Sequence, residues 1–414
     1  MSALQPVRGT HDLLPDEMRR HRRVTEQATA TAELYGYQFM ATPIFEFSEV
    51  FKRTLGETSD VVMKEMYTFA MKDGEEITLR PENTASVVRA MLSGGLLQSL
   101  PLKYFYAGPM FRHERPQKGR QRQFHQIGIE LLGVAQPLGD VEVIACGAEI
   151  LDRLGLLAGT RLELNTLGDM ESRKVYRAAL VEYFRGHLEE LSADSRDRLH
   201  RNPLRILDSK NNDDRRVVAG APRFETFLNE ASQEFFAAVR DGLDALGIAY
   251  ELNPHLVRGL DYYCHTAFEF KTDRLGAQDT IMGGGRYDGL VETMGGPPMP
   301  GVGWAAGIER MAMLLAEPPD PPRPIAVVPV GGAAEREALC IAQRLRRAGI
   351  AVELGYGGNL KKRLQRANKV GARAAVLLGE DELAQQSATV RDLETGVQEL
   401  VSLDALNERL ARFS

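Results

Sequence analysis

Phe111-Arg112-His113-Glu114-Arg115-Pro116-Gln117-Lys118-Gly119-Arg120-Gln121-Arg122-Gln123-Phe124-His125-Gln126 is the densest chemical feature of the chain. Five of the residues from 112 to 122 are basic and only Glu114 is acidic. Strand-like runs flank it at about 103–109 and 124–132, so it reads as a hairpin with a long, positive loop. Guanidinium forks bind phosphate oxygens bidentately, which suits the loop to polyphosphate or an RNA backbone. Phe124 adds a face on which a base could stack. The plain alternative is a solvated charged hairpin. Outward from the hairpin, strand-like runs fall at about 38–45, 66–70 and 76–80, and residues 14–35 have the spacing of an amphipathic helix. Antiparallel hairpins with flanking helices give an α+β expectation for the first 316 residues.

The clearest boundary is Glu317-Pro318-Pro319-Asp320-Pro321-Pro322-Arg323-Pro324, five prolines in eight residues. Such a segment is stiff and extended. After this 317–324 linker, strands alternate with helical patterns over 325–414, which predicts a small α/β domain with some parallel pairing. Residues 1–320 then form one larger domain, with 160–250 containing a mainly helical insertion.

The chain has 414 residues, 51 Lys+Arg against 57 Asp+Glu, a net charge of −6 and 26% charged residues. That composition is globular and excludes a whole-chain basic field, so any nucleic-acid partner must be held by local patches. Cys146, Cys264 and Cys340 are too few and too far apart for a disulfide framework or a CxxC site, and fit a reducing compartment. No run approaches the length of a membrane span, and Met1 to Pro15 has no apolar signal core. The expectation is a cytoplasmic protein without membrane contact.

Other clusters are weaker alone. Leu256-Val257-Arg258-Gly259-Leu260-Asp261-Tyr262-Tyr263 sets an arginine and two tyrosines beside a glycine, as a small-ligand site or a surface turn would. Gly283-Gly284-Gly285-Arg286-Tyr287-Asp288-Gly289 lets backbone approach a ligand closely. Residues 301–306 match GxGxxA, but Pro297, Pro298 and Pro300 stand where a dinucleotide-binding strand is needed. The better reading is a glycine-rich strand leading into a helix that presents Arg310. In Leu79-Arg80-Pro81-Glu82-Asn83-Thr84-Ala85, Glu82 sits on a turn where a carboxylate could take an ammonium, or Asn83 or Thr84 could cap the helix. There is no HExxH and no histidine pair at zinc-ligand spacing, which points away from a protein-held metal centre.

Together these segments resemble the histidyl-tRNA synthetase family of class II aminoacyl-tRNA synthetases. The likeness covers Val7 to Pro15, motif 1 at 36–65 with Pro43 and Phe51-Lys52-Arg53, motif 2 at 111–126 and motif 3 at 301–312. It includes the histidine-specific signatures at 256–263, with Phe268-Glu269, and 283–290. It implies a class II antiparallel sheet flanked by helices, a helical insertion and a C-terminal α/β anticodon-binding domain. The implied activity is an aminoacyl-tRNA ligase: ATP and L-histidine form histidyl-adenylate, and histidine passes to the 3′ end of tRNA(His). Magnesium would enter with ATP and no other metal is implied. A homodimer through motif 1 is implied, and no DNA partner.

By resemblance, Arg112, Arg258 and Gln126 form the catalytic set, with Arg258 and Arg112 at the α-phosphate. Glu114, Phe124 and Arg310 would hold ATP with Arg112. Glu82, Thr84 and Gln126 would receive the substrate ammonium, and Glu130 and Tyr263, beside Tyr262, would meet the imidazole. A donor–acceptor pair set for two ring nitrogens can reject analogues by about 10⁴–10⁵, because they leave buried groups unpaired. Arg120, Arg122, Lys361, Lys362 and Arg366 are the tRNA candidates. The stretch 359–373 carries six basic residues and no acid, and 196–216 holds seven basic and four acidic. The family usually has glycine at Asn83 and other residues at Cys264 and His265. The main rival is a non-catalytic relative, the regulatory subunit of ATP phosphoribosyltransferase, which generally lacks the anticodon-binding domain. A prolyl or threonyl synthetase is disfavoured by Arg258-Gly-Leu-Asp-Tyr-Tyr263.

Overall fold

The computed structural model describes residues 4–56, 59, 61–117, 119–207, 209, 211–257, 260, 262–276 and 279–413. The chain divides into two units, Met1–Pro319 and Asp320–Ser414, with the division inside the proline-rich segment.

The first unit is built on an eight-stranded sheet. Its strands are β1 (Gln38–Phe39), β5 (Leu102–Phe111), β6 (Gln123–Leu132), β11 (Gly301–Gly307), β10 (Thr280–Arg286), β9 (Cys264–Lys271), β7 (Arg161–Thr166) and β8 (Glu251–Leu252), in that spatial order. All pairings from β5 through β7 are antiparallel; the short edge strands β1 and β8 pair parallel. The 111–126 segment is the expected hairpin: β5 and β6 pair from Leu102↔Leu132 to Phe111↔Gln123. A smaller sheet, β2 (Phe45–Phe47), β4 (Glu76–Leu79) and β3 (Tyr67–Ala70), lies beside it.

Side chains alternate along each strand, which sorts the two faces of the large sheet. Ile127, Ile129 and Leu131 of β6 join Phe105, Trp304, Phe268 and Phe270 in the main core. Helices Pro15–Leu34, Pro137–Arg153, Glu230–Ala245 and Ile308–Leu314 supply the other half of that core. Helix Pro15–Leu34 buries Val24, Ala28 and Ala32 at helical spacing and starts with Pro15, Asp16 and Glu17, a favourable first turn. Gln126, Gly128 and Glu130 face the opposite side, where the cavity lies.

Two expectations are revised. The run 38–45 is two short strands in different sheets, because Pro43 has no N–H for a ladder and the chain turns there. The stretch 160–250 is not all insertion. Leu162 and Leu164 bury β7 in the sheet, and Val239 and Leu243 bury helix Glu230–Ala245 against the main core. The excursion is therefore narrower, with helices Met170–Gly186, Ala193–Arg201 and Asn212–Val218. Fully buried Asp214 ties it together, accepting from the hydroxyls of Ser192, Ser195 and Ser209 at 2.8, 2.7 and 2.6 Å.

The second unit is a five-stranded sheet, β13 (Val352–Leu354), β12 (Ile325–Pro329), β14 (Ala374–Leu378), β15 (Ser387–Asp392) and β16 (Gln398–Ser402). β12 runs parallel to both neighbours, as strand–helix–strand crossovers require. Its β-branched run is buried on both faces: Ile325 and Val327 pack with Ile341 and Leu345, while Ala326 and Val328 pack with Ala367. No described helix of the chain is long and apolar enough to cross a membrane.

Candidate active site

Motif 2, motif 3, the Glu82 turn and the paired tyrosines line one cavity of about 980 Å³. That volume is large enough for a nucleotide with a small second ligand.

Arg112 and Arg120 of the hairpin and Arg310 of helix Ile308–Leu314 border it. Arg112, just past β5, donates from Nε to the Pro81 carbonyl at 2.9 Å, and its guanidinium lies 5.4 Å from the Phe124 ring centroid. Arg120, on the hairpin loop, pairs with Glu114 at 2.8 Å, and Arg112 approaches the same carboxylate at 3.9 Å. Arg310 donates to the Gly119 and Thr280 carbonyls at 3.0 and 2.6 Å. Burial lowers the Arg310 pKa, and Arg120 and Arg112 push it the same way. Like charges held this close favour an anion between them.

The second group is acidic and hydroxylic. Buried Glu82 accepts the Thr84 and Ala85 backbone N–H groups at 2.7 and 2.9 Å. Glu82 itself therefore caps helix Thr84–Ser93, not Asn83 or Thr84. Burial raises the Glu82 pKa, opposed by those two bonds and by Arg112. The Thr84 hydroxyl donates to Glu130 at 2.6 Å, and the Tyr287 hydroxyl donates to the other Glu130 oxygen. Glu130 is 1% exposed and sits behind the cavity lining, and burial pushes its pKa up to about 8 against the pull of these donors. The buried Gln126 Oε1 has no hydrogen-bond partner and lies on the lining between the two groups in sequence register. Tyr262 and Tyr263 border the same space with ring centroids 4.6 Å apart.

Glycines make room for these side chains. A Cβ at Gly303 would meet Glu130 Oε2 at 2.1 Å, and one at Gly301 would meet the Tyr287 ring at 2.3 Å. Asn83, where the family favours glycine, stands at φ −116°, so no left-handed turn is needed. Its Oδ1 accepts from the Thr42 hydroxyl at 2.7 Å and from Arg80 at 3.0 Å. Cys264 and His265 do not border the cavity.

Arg258 lies outside the described residues. Arg122 is turned away from the cavity: it donates to the Glu114 and Arg8 carbonyls at 3.3 and 3.4 Å. In the second unit, Lys361 and Lys362 are exposed on helix Leu360–Lys369, while Arg366 pairs with Glu353 at 2.7 Å. Arg363 of the same basic stretch is buried, donating to the Gly358 carbonyl at 2.9 Å, and Arg373 donates to the Phe413 carbonyl at 3.0 Å. Fewer of the six charges are thus open to a partner than the sequence pattern suggests. Sequence reasoning missed Tyr287 as a site residue; it stood inside the quoted glycine motif, but nothing in the spacing ties it to Glu130.

The chain matches the family model described as Histidyl-tRNA synthetase over residues 9–311 and that of an anticodon binding domain over 324–412. It is 61% identical to a protein of Rhodospirillum rubrum named Histidine--tRNA ligase, over 100% of both chains. It is similar to the crystal structure of apo S. aureus histidyl-tRNA synthetase, with 36% identity, TM-score 0.83, and coverage of 98% of this chain and 99% of that one. A Bacillus halodurans structure described as an ATP phosphoribosyltransferase regulatory subunit/histidyl-tRNA synthetase shares the fold at 21% identity, TM-score 0.68, covering 92% and 99%.

Proposed function

The chain belongs to the histidyl-tRNA synthetase family, and from that premise we propose how its cavity carries out histidine–tRNA ligation. The enzyme is an aminoacyl-tRNA ligase that activates L-histidine with ATP and transfers it to tRNA(His). The observation that carries this reading is the single cavity bordered by Arg112, Arg120 and Arg310 together with Glu82, Thr84, Gln126 and Tyr263. The full-length identity to a ligase, C-terminal unit included, disfavours the regulatory-subunit alternative.

The arginine group takes the triphosphate. Arg112 and Arg258 stabilise charge that builds on the α-phosphate as the histidine carboxylate attacks it and pyrophosphate leaves. Arg310 holds the phosphate tail, and Phe124 stacks on adenine. Positioned cations act here without reorganisation, which is where most of the rate comes from. Glu82 and Thr84 accept the substrate ammonium, with Gln126 Oε1 as a third acceptor. Tyr263, flanked by Tyr262, meets one imidazole nitrogen. Glu130, which Thr84 and Tyr287 hold behind the lining, takes the other once the substrate ring displaces one of these hydroxyls. Glu114, beside Arg120, is a carboxylate suited to hold a water of a magnesium ion entering with ATP, which would neutralise phosphate charge.

Lys361, Lys362 and Arg366 bind the anticodon arm, and Arg120 and Arg122 stand at the acceptor end. The acidic chain as a whole offers no general DNA-binding field, and the protein works in the cytoplasm. Two chains associate through the motif 1 region, where Phe45, Phe47 and Phe69 are 57, 54 and 50% exposed around β2–β4–β3. Apolar area of that kind marks an interface.

The test is ATP–pyrophosphate exchange with a panel of amino acids. Exchange with histidine alone is expected. Exchange with another amino acid, or none from folded protein, overturns the reading. A Lys361→Glu/Lys362→Glu variant is expected to keep full exchange and to lose about tenfold in tRNA charging at low salt, a deficit that narrows at higher salt because the wild type loses more. Unchanged charging would remove those lysines from the tRNA surface.

A further inference from the structure

The β6 strand that carries Gln126 on its cavity face carries His125 on the other. There His125 meets two residues from distant parts of the chain: His21 of helix Pro15–Leu34 and Glu309 of helix Ile308–Leu314. One ligand-type atom from each of the three lies within 4.8 Å of the other two. His125 Nδ1 is 2.8 Å from Glu309 Oε1, and the His21 ring stands edge-on to the His125 ring at 5.5 Å. The Glu309 carboxylate is also aimed by the His125 backbone N–H, at 2.9 and 3.0 Å. The His21 residue is 5% exposed, so its ring is held against the other two groups by the surrounding core. Two imidazoles and an aimed carboxylate from three distant segments converge here.

We propose that His21, His125 and Glu309 form a binding site for a zinc-like divalent cation, with water as the fourth ligand. Two imidazoles and one carboxylate are a zinc donor set. Bonds of about 2.1 Å place tetrahedral ligand atoms about 3.4 Å apart, so closure needs side-chain movements of about 1 Å. Burial holds the His21 pKa below its ordinary value, which keeps the ring in its ligating, neutral form. The backbone N–H on Glu309 is the kind of outer support that fixes a ligating carboxylate. His125 and Glu309 are 184 residues apart and His21 lies far upstream of both, so no local motif contains the site. A bound cation would fasten helix Pro15–Leu34 to Glu309, which itself borders the reaction cavity, and to His125, the neighbour of the lining residue Gln126. The site does not rest on the histidine-activation reading.

The experiment uses full-length protein freed of metal by chelation. Zn²⁺ binding is followed by calorimetry and Co²⁺ binding by visible absorption, in wild type, His21→Ala, His21→Gln and Cys340→Ser. The last removes the exposed thiol. Wild type and Cys340→Ser are expected to bind one Zn²⁺ per chain and to show tetrahedral Co²⁺ bands. Both His21 variants are expected to bind at least about tenfold more weakly. Zinc raises the unfolding temperature of wild type and not of the His21 variants. Binding that is indifferent to His21, or no binding at micromolar zinc, overturns the site. If the His21 variants fail to fold, octahedral Co²⁺ spectra in wild type overturn it alone. Histidine-dependent exchange, run without zinc, reports separately on the ligase reading.

Discussion

Arg112→Ala is expected to lower histidine-dependent ATP–pyrophosphate exchange by about 10²–10³ in kcat, the usual cost of losing one donor aimed at transition-state charge. One edge of the guanidinium is fixed by the Pro81 carbonyl at 2.9 Å, and Phe124 supports its face. Arg112 borders the cavity, and its Nη1 lies 3.9 Å from Glu114. Arg112→Lys keeps the charge and loses the fork, so it is expected to recover only part of the rate. Circular dichroism and an unchanged unfolding midpoint would show that the loss is chemical. Exchange within about threefold of wild type in Arg112→Ala would remove its assigned role.

Arg286→Met is expected to cost about 3–5 kcal/mol of stability in denaturant titration, because it strands a buried charge. Arg286 and Asp140 are both fully buried. Arg286 Nε meets Asp140 Oδ2 at 3.0 Å, and Nη1 donates to the Val134 carbonyl at 2.9 Å and to Asp288 at 3.1 Å. Burial raises the Asp140 pKa and Arg286 opposes it. Without the arginine the folded-state pKa climbs further above its unfolded value. The folded form then prefers a protonated Asp140, so the penalty grows as pH rises past the unfolded value and shrinks on acidification. Unfolding of the variant at neutral and acidic pH checks this sign. Arg286→Met with Asp140→Leu is expected to regain much of the loss. A single variant as stable as wild type at neutral pH would mean that water or relaxation relieves Asp140.

The hairpin was legible because two cues agreed: apolar alternation in 124–132 and a charged, strandless loop before it. Gln126 and Glu130 were implied by the family resemblance alone; that they share one face of the sheet follows from the β6 register. What charge patterns cannot say is where a guanidinium ends. Arg122 and Arg363 sit in basic runs that look solvent-facing, yet both donate to backbone carbonyls. The Glu82 turn was read for ammonium binding or for capping by its neighbours, while Glu82 does the capping. The split of 38–45 was signalled by Pro43 and outweighed by the apolar residues around it. Tyr287 and Glu130 are 157 residues apart, so their bond exists only after the sheet has assembled β6, β11 and β10. The His21–His125–Glu309 cluster is hidden for the same reason.

The glycines facing Glu130 and Tyr287 make the cavity floor a case of epistasis written into a sheet. Gly301 lacks a side chain because the Tyr287 phenol fills its space; Gly303 lacks one because the Glu130 carboxylate and also the Ile129 carbonyl oxygen, 2.3 Å from a Cβ there, fill its own. Alanine at Gly301 is harmful in this background and tolerable once Tyr287 is reduced, whereas alanine at Gly303 stays harmful after any change at Glu130, because the Ile129 backbone remains. A lineage that abandoned histidine recognition would be freed to fill position 301, but only after losing the phenol. A retained Gly301 over a missing Tyr287 would date the loss of activity as recent; a filled one would mark it as old.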